Sequence, residues 1–129
     1  MKFKIKDIKA TFLDWELTFK QIKPNSYHQF LGAENPIPRD YYLFEEDEKG
    51  EEVVKIDIQK LNHEQYDFMM NKDVKFLTLM LKKAEYKGEG EQEIPSNADE
   101  KDMLLTLLIE ESDEFAEWTK GYINGQKKT

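Results

Sequence analysis

The sequence predicts a single α+β domain, in which a small antiparallel sheet with a central hairpin packs against three helices. The chain has 129 residues, which is close to the commonest size of one domain. Its apolar residues alternate on both sides of a glycine-containing turn, and elsewhere they recur at helical spacing. Hydrophobic residues make up 39% of the chain and aromatic residues 12%, enough for one core. We therefore treat residues 1–129 as one domain.

The N-terminal region favours strands. Residues 2–6 alternate lysines with apolar residues, which is typical of a short strand. Residues 8–22 are ambiguous, because their large apolar residues recur both at helical spacing and at strand spacing. Aromatic and β-branched residues are enriched in strands, so we predict a strand over 11–20 and keep a helix as the alternative. The helical stripe consists of Ile8, Phe12, Trp15, Phe19 and Ile22.

A proline-rich loop and a hairpin follow. Residues 23–39 contain three prolines and predict a loop with one helical turn around 27–31. Two β-rich runs, 41–46 and 52–59, flank a short charged segment that contains Gly50. This arrangement is the usual outline of a β-hairpin.

Three later segments carry apolar residues at helical spacing. The first, 62–71, begins at the capping residue Asn62. The second, 74–86, is strongly apolar and fits either a buried strand or a helix; its three-to-four spacing favours the helix. The third, 98–123, predicts a long C-terminal helix.

The remaining segments predict connections. Residues 88–95 are rich in glycine and glutamate and predict a flexible acidic loop. Ser96 or Asn97 is expected to cap the last helix, which closes near Gly125, and we expect 125–129 to be a disordered tail.

Composition excludes several classes of protein. The chain has no cysteine, so it has no disulfide framework, thiolate metal site or cysteine nucleophile. No stretch approaches the roughly 18 apolar residues of a membrane span, and we expect a cytoplasmic protein that does not bind membranes. The net charge of −8 and the presence of a single arginine, Arg39, argue against direct binding of nucleic acid.

The search for catalytic chemistry finds no strong motif. His63 and Glu64 begin an HExx pattern, but Asp67 stands where a zinc protease helix would place its second histidine. The pattern then lacks a third ligand, and acids in a first helical turn are favoured by the helix dipole alone. Phosphate-binding loops and nucleophile elbows are absent from the sequence. We predict a protein that is not an enzyme, with no catalytic residues, metal or cofactor.

Acidic residues form two clusters that we predict to bind a partner. In the first, acidic residues crowd the hairpin tip. In the second, acids on the last predicted helix recur at i, i+3, i+4 and i+7 and would share one face, where like charges destabilise a helix by roughly 0.2–0.5 kcal/mol per pair. Both clusters also fit a solvated surface that only maintains solubility. The predicted partner-binding residues are Glu45, Glu46, Asp47, Glu48, Glu110, Asp113, Glu114 and Glu117.

The chain resembles, in outline, small uncharacterised accessory proteins of bacteriophages that infect low-GC Gram-positive bacteria. The resemblance is carried by the lysine-rich opening 1–8, by the abundance of Lys, Glu and Asn, and by the terminal helix in which 103–108 runs into the acids of 110–117. It implies no catalytic residues. It implies either an inhibitor of host defence, such as an anti-CRISPR or antirestriction protein, or a protein of virion assembly.

Two functional hypotheses follow. In the first, the acidic clusters occupy the basic, nucleic-acid-binding groove of a host protein, so that binding weakens steeply with salt. In the second, the protein is an assembly or structural subunit that associates through Trp15, Tyr41, Tyr42 or Phe44, and salt has little effect. The sequence leaves the oligomeric state open.

Overall fold

The computed structural model describes residues 6–124. The strand predicted at 2–6 lies outside them except for Lys6, and the tail predicted at 125–129 lies wholly outside them. The α+β class is confirmed, with helices and antiparallel strands alternating along the chain. In chain order the strands and α-helices are β1 (Ile8–Phe12), β2 (Trp15–Phe19), α1 (Ser26–Glu34), β3 (Tyr42–Glu46), β4 (Glu52–Ile56), α2 (His63–Met80), β5 (Leu81–Tyr86), α3 (Ala98–Glu111) and α4 (Asp113–Ile123).

The strand prediction for 11–20 is correct in type, but the chain forms two strands there. β1 and β2 pair around a two-residue turn, in which Leu13 and Asp14 both have positive φ, 48° and 65°. Pairing sets Ile8 opposite Phe19, and opposed residues of an antiparallel pair point to the same face. Four of the five residues of the apparent helical stripe therefore lie on one face of a hairpin, and the fifth, Ile22, follows β2.

The loop prediction for 23–39 is wrong in part, since α1 extends over nine residues instead of one turn. Its aromatic residues Tyr27 and Phe30 pack against Phe76 of α2, each with ring centroids 5.3 Å from it. Tertiary packing of two aromatic side chains thus stabilises a helix that contains Gly32 and has weak helical periodicity.

The two predicted helices 62–71 and 74–86 are one helix and one strand. α2 begins with the predicted cap at Asn62 and continues to Met80 past non-helical dihedral angles at Asn71. The chain then turns extended at Leu81 and adds β5 to the sheet beside β2. A register shift in this pairing leaves Leu81 and Ala84, three residues apart, both buried. Buried residues three apart are typical of a helix, so the register shift makes this strand look helical in the sequence.

The long C-terminal helix predicted over 98–123 is two helices. Asn97 caps α3, accepting a hydrogen bond from the Glu100 amide, as expected. At Ser112 the backbone is extended, and the Ser112 hydroxyl accepts the amide of Phe115 at 3.1 Å and so caps α4. A serine that satisfies a free amide of a new helix is a strong start signal. The two helices bury Leu104, Leu108, Phe115 and Tyr122, and Trp118 is half-buried.

The core lies between the three-stranded sheet, in the order β1-β2-β5, and the helices α2, α3 and α4. Leu17 and Phe19 of the central strand are fully buried, as is Tyr122 of α4. The Tyr122 hydroxyl donates to the carbonyl of Lys20, and burial raises the pKa of this tyrosine above its ordinary value. The hairpin of β3 and β4 is confirmed, but the expectation that it belongs to the main sheet is wrong, because it forms a two-stranded sheet of its own.

Candidate functional site: the acidic hairpin arm

The β3–β4 hairpin, which we call the arm (residues 42–56), is anchored at its base. The Tyr42 hydroxyl accepts a hydrogen bond from the Asn35 side-chain amide at 2.8 Å. The Asp57 amide donates to the Tyr41 carbonyl at 2.9 Å, and the Lys60 ammonium lies 5.9 Å from the centroid of the Tyr41 ring. These contacts hold the two strands where they leave the body of the protein.

A buried glutamine connects the segment before the arm to α2. Gln65 accepts the amide of Asn62 at 3.0 Å and donates to the carbonyl of Pro36 at 3.1 Å. Next to this proline, Ile37 is buried, and its amide donates to the Asn35 side chain at 2.9 Å. The segment before the arm is therefore hydrogen-bonded to the start of α2 and buried at Ile37.

The tip of the arm, residues 47–51, is ordered by one carboxylate. One oxygen of Asp47 accepts the backbone amides of Lys49 and Glu51, both at 2.9 Å. Gly50 has a φ of +79°, which favours glycine. Asp47, predicted to contact a partner, thus has a structural role in the turn, while Glu48 is exposed at the tip.

One face of the arm changes from apolar to acidic along its length. Phe44 lies opposite Val54, and Glu46 lies opposite Glu52. Phe44 is 63% exposed and Val54 is 54% exposed, so within the described residues nothing covers this cross-strand pair. Contiguous apolar surface that is exposed and rimmed by polar residues is typical of interaction sites, whereas single exposed apolar residues are common on any protein.

The acidic pair at the end of this face is unfavourable for the fold. Like charges on directly opposed residues of an antiparallel pair destabilise it, and Glu46 and Glu52 are so placed. On the other face, Glu45 pairs with Lys55 at 3.0 Å. Residues 45–52 contain six acids and one lysine, a local charge of −5. The arm therefore combines charge repulsion with exposed apolar surface.

The second predicted cluster does not form one helix face. The break at Ser112 places Glu110 in the last turn of α3, and it places Asp113 and Glu114 in the first turn of α4. Acids in a first turn stabilise a helix through its dipole, so these two need no partner to explain them. Glu117 forms an exposed ion pair with Lys120 at 3.2 Å. The prediction that all four acids share one helix face is therefore wrong for Glu110, whereas Glu117 still lies four and three residues after Asp113 and Glu114 in α4.

The structure also reduces the set of aromatic residues that could mediate association in the second hypothesis. Trp15 is 8% exposed and belongs to the core, so it is not available for association. Tyr41 and Tyr42 are half-buried at the base of the arm. Of the four aromatic residues proposed as contacts, Phe44 alone is exposed, and it lies on the arm that also carries the first acidic cluster.

Asp67, the acid at the last position of the histidine motif in α2, is bonded to two neighbouring side chains. The Asp67 carboxylate pairs with Lys75 at 2.9 Å and accepts the Asn71 side-chain amide at 2.8 Å. These two hydrogen bonds, that of Lys75 first, hold the pKa of Asp67 below its ordinary value. Within residues 6–124, no group of three or more potential ligands is arranged to hold a metal ion.

The fold assembles one acidic group that the sequence did not predict. A hollow of about 360 Å³ lies between α1, α2 and α3, and we call it the acidic hollow. Its acids come from segments far apart in sequence, which is why a search for local clusters misses them. Its charged lining residues are Glu34, Glu64, Asp67, Asp99, Asp102 and Lys75.

Comparison of the chain with protein-family models, curated proteins and solved structures gives no match. Within the part of the chain that the structure describes, no helix has both the length and the apolar character needed to cross a membrane.

Proposed function

We propose that this protein is a non-enzymatic binding protein whose arm enters a positively charged groove of another protein. The observation that carries the proposal is the exposed Phe44–Val54 pair next to the opposed Glu46–Glu52 pair. The acidic pair repels across the strands. The Phe44–Val54 pair contributes a cross-strand contact worth roughly 0.2–1 kcal/mol, but it leaves more than half of each side chain in water. A partner that supplies a basic rim and an apolar floor offsets both.

The proposed partner class is a nucleic-acid-binding protein. Such proteins have basic grooves that neutralise phosphates, and an acidic arm with a local charge of −5 competes for the same surface. The sequence resembles, in outline, small accessory proteins of bacteriophages. In a phage-infected cell this activity would inhibit a host defence protein in the host cytoplasm. The chain's own charge makes it a poor ligand for nucleic acid itself.

The test is capture of host proteins on the immobilised protein at low salt, followed by a salt gradient and mass spectrometry. A lysate of a low-GC Gram-positive bacterium is the source. We expect a basic, nucleic-acid-binding protein that elutes at moderate salt and is released by added double-stranded DNA or RNA, because both ligands occupy one groove. Failure of nucleic acid to release the captured protein contradicts the proposal.

Two charge-reversed variants assign the surface. Glu46→Lys with Glu48→Lys changes the arm, and Glu114→Lys with Glu117→Lys makes the same charge change on α4. We expect only the arm variant to lose capture. Loss with the α4 variant alone would move the contact to the second cluster.

A second candidate function, virion assembly or another structural role, is favoured by the exposure of Phe44. It predicts capture of itself, or of virion proteins when the lysate comes from phage-infected cells, and this capture persists at high salt. In that case Phe44→Ser abolishes capture and Glu46→Lys with Glu48→Lys leaves it unchanged. Salt dependence therefore separates the two functions with the same protein and the same column.

A further inference from the structure

An apolar ridge separates two hollows of opposite charge on the body of the protein. Phe30 of α1 and Leu79 of α2 line both the acidic hollow and a second, open hollow of about 530 Å³. Leu79 is 54% exposed. Phe30 is fixed by Phe68 and Phe76, whose ring centroids lie 6.0 Å and 5.3 Å from its own. The ridge is thus an apolar surface that packs on the core through half-buried Phe30 and is exposed at Leu79.

The two hollows differ in charge. The acidic hollow is lined by five acids and one lysine, and five negative charges less one positive charge leave −4. The second hollow is lined by Lys20 and Lys23 with no acid, which gives +2, and we call it the lysine hollow. Acid and base therefore lie on opposite sides of the same ridge.

Contacts within the chain account for only part of this charge. Glu64 and Asp99 lie in the first turns of α2 and α3, where the helix dipole favours acids. Glu34 is the last residue of α1, where the dipole disfavours an acid. Among the ion pairs of residues 6–124, none includes Glu34, Lys20 or Lys23. These side chains remain open to an external partner of opposite charge.

We propose that this surface binds a second copy of the chain, related to the first by a two-fold axis that runs along the Phe30–Leu79 ridge. A two-fold contact requires a self-complementary surface, in which each feature meets its complement on the partner copy. Rotation about the ridge brings the acidic hollow of one copy against the lysine hollow of the other, twice, with Leu79 against Leu79 at the centre. The proposal is independent of the arm and of the function proposed for it.

The test is the mass of the full-length protein in solution, measured by sedimentation and by light scattering over a range of concentrations. We expect a dimer that dissociates as salt rises from about 0.1 M to about 1 M, over which the screening length falls from about 10 Å to about 3 Å. Leu79→Lys should raise the dimer dissociation constant at least about ten-fold, because it places two like charges at the centre. Leu107→Lys is the matched control, since Leu107 is a 50% exposed leucine on α3 that lines neither hollow.

Two variants with opposite charge changes test directly whether the two hollows face each other. Variant A carries Glu34→Lys and Asp99→Lys, which takes the charge of its acidic hollow from −4 to 0. Variant B carries Lys20→Glu and Lys23→Glu, which takes the charge of its lysine hollow from +2 to −2. Each variant alone should be monomeric, with an unchanged circular dichroism spectrum as the check on folding. An equimolar mixture should form a heterodimer, because the lysine hollow of A, at +2, then faces the acidic hollow of B, at −4.

Three results would overturn the proposal. They are a wild-type protein that stays monomeric at every concentration, a dimer that tolerates both Leu79→Lys and the variant A changes, and a mixture of A and B that does not associate. Open-ended oligomers instead of dimers would also exclude the two-fold arrangement, because a contact that does not close produces chains.

Discussion

Replacing Glu52 by lysine should stabilise the arm and weaken partner binding at the same time. Glu52 lies directly opposite Glu46, so the wild-type pair is repulsive and the variant pair is attractive. Cross-strand charge pairs are worth roughly 0.2–1 kcal/mol, and both residues are exposed, which places the gain in the lower part of that range. We expect the local free energy of opening of the arm to rise by about 0.5 kcal/mol.

Amide hydrogen exchange measures this gain where it occurs. A two-stranded sheet is marginally stable alone and opens locally before the whole domain unfolds. A gain of about 0.5 kcal/mol slows exchange of the ladder amides of β3 and β4 roughly two-fold, with no change in the core strands. Faster or unchanged exchange would show that Glu46 and Glu52 do not oppose each other.

Glu52→Lys should weaken binding of the captured partner although it makes the arm more stable. Glu52→Lys moves the net charge from −8 to −6, since one negative charge is lost and one positive charge gained. The control Glu91→Lys makes the same change in the segment 87–97, which contains no helix or strand. We expect Glu52→Lys to raise the dissociation constant about ten-fold, equivalent to about 1.4 kcal/mol, and Glu91→Lys to alter it little. Equal effects of the two variants would refute a local role for the arm.

Three further predictions concern the fold. Leu13→Asn with Asp14→Gly should raise the free energy of unfolding in urea by about 1–2 kcal/mol, because both positions need positive φ and Asn-Gly adopts that turn without strain; no gain would contradict the turn. Ser112→Ala should lower it by about 1 kcal/mol through loss of the α4 cap, whereas Ser112→Asp should retain it. The pKa of Glu85 is lowered from 4.5 to about 2, because hydrogen bonds from Lys83 first, and then from Lys87, stabilise its charged form. Its stabilisation is therefore present above about pH 4.5 and lost towards pH 2, and Glu85→Gln should flatten that part of the urea-unfolding profile.

Local signals predicted the features that one segment determines. The caps at Asn62 and Asn97 depend on a single side chain and the amide three residues on, and both are confirmed. The arm depends on two strands and a short connection containing Gly50, and its pairing is also confirmed. Such features are set within a few residues, so the sequence states them directly.

Features set by tertiary pairing were mispredicted for physical reasons. The turn at Leu13 carries no glycine or asparagine, so the first hairpin looked like one element. The register shift beside Phe19 gave β5 a helical spacing of its buried residues. Ser112, followed by two acids, is a helix-start signal in the sequence. The apolar residues on either side, Leu108 and Phe115, keep helical spacing across it and so predict a continuous helix instead. The acidic hollow needs three helices to assemble and has no local signature.

The carboxylates can be sorted by whether the fold gains from them. Asp47 orders a turn, and Asp113 lies in the first turn of a helix, so the fold accounts for both. Glu46 and Glu52 repel each other across the arm, and Glu34 opposes the dipole of α1. A charge that only maintains solubility has no reason to occupy an unfavourable position, since many exposed positions carry no such penalty. Glu110, in the last turn of α3, also opposes a helix dipole, so an unfavourable position alone does not mark a binding surface. Glu46, Glu52 and Glu34 are assigned to binding surfaces because they also lie beside exposed apolar side chains, at the Phe44–Val54 pair and at the Phe30–Leu79 ridge.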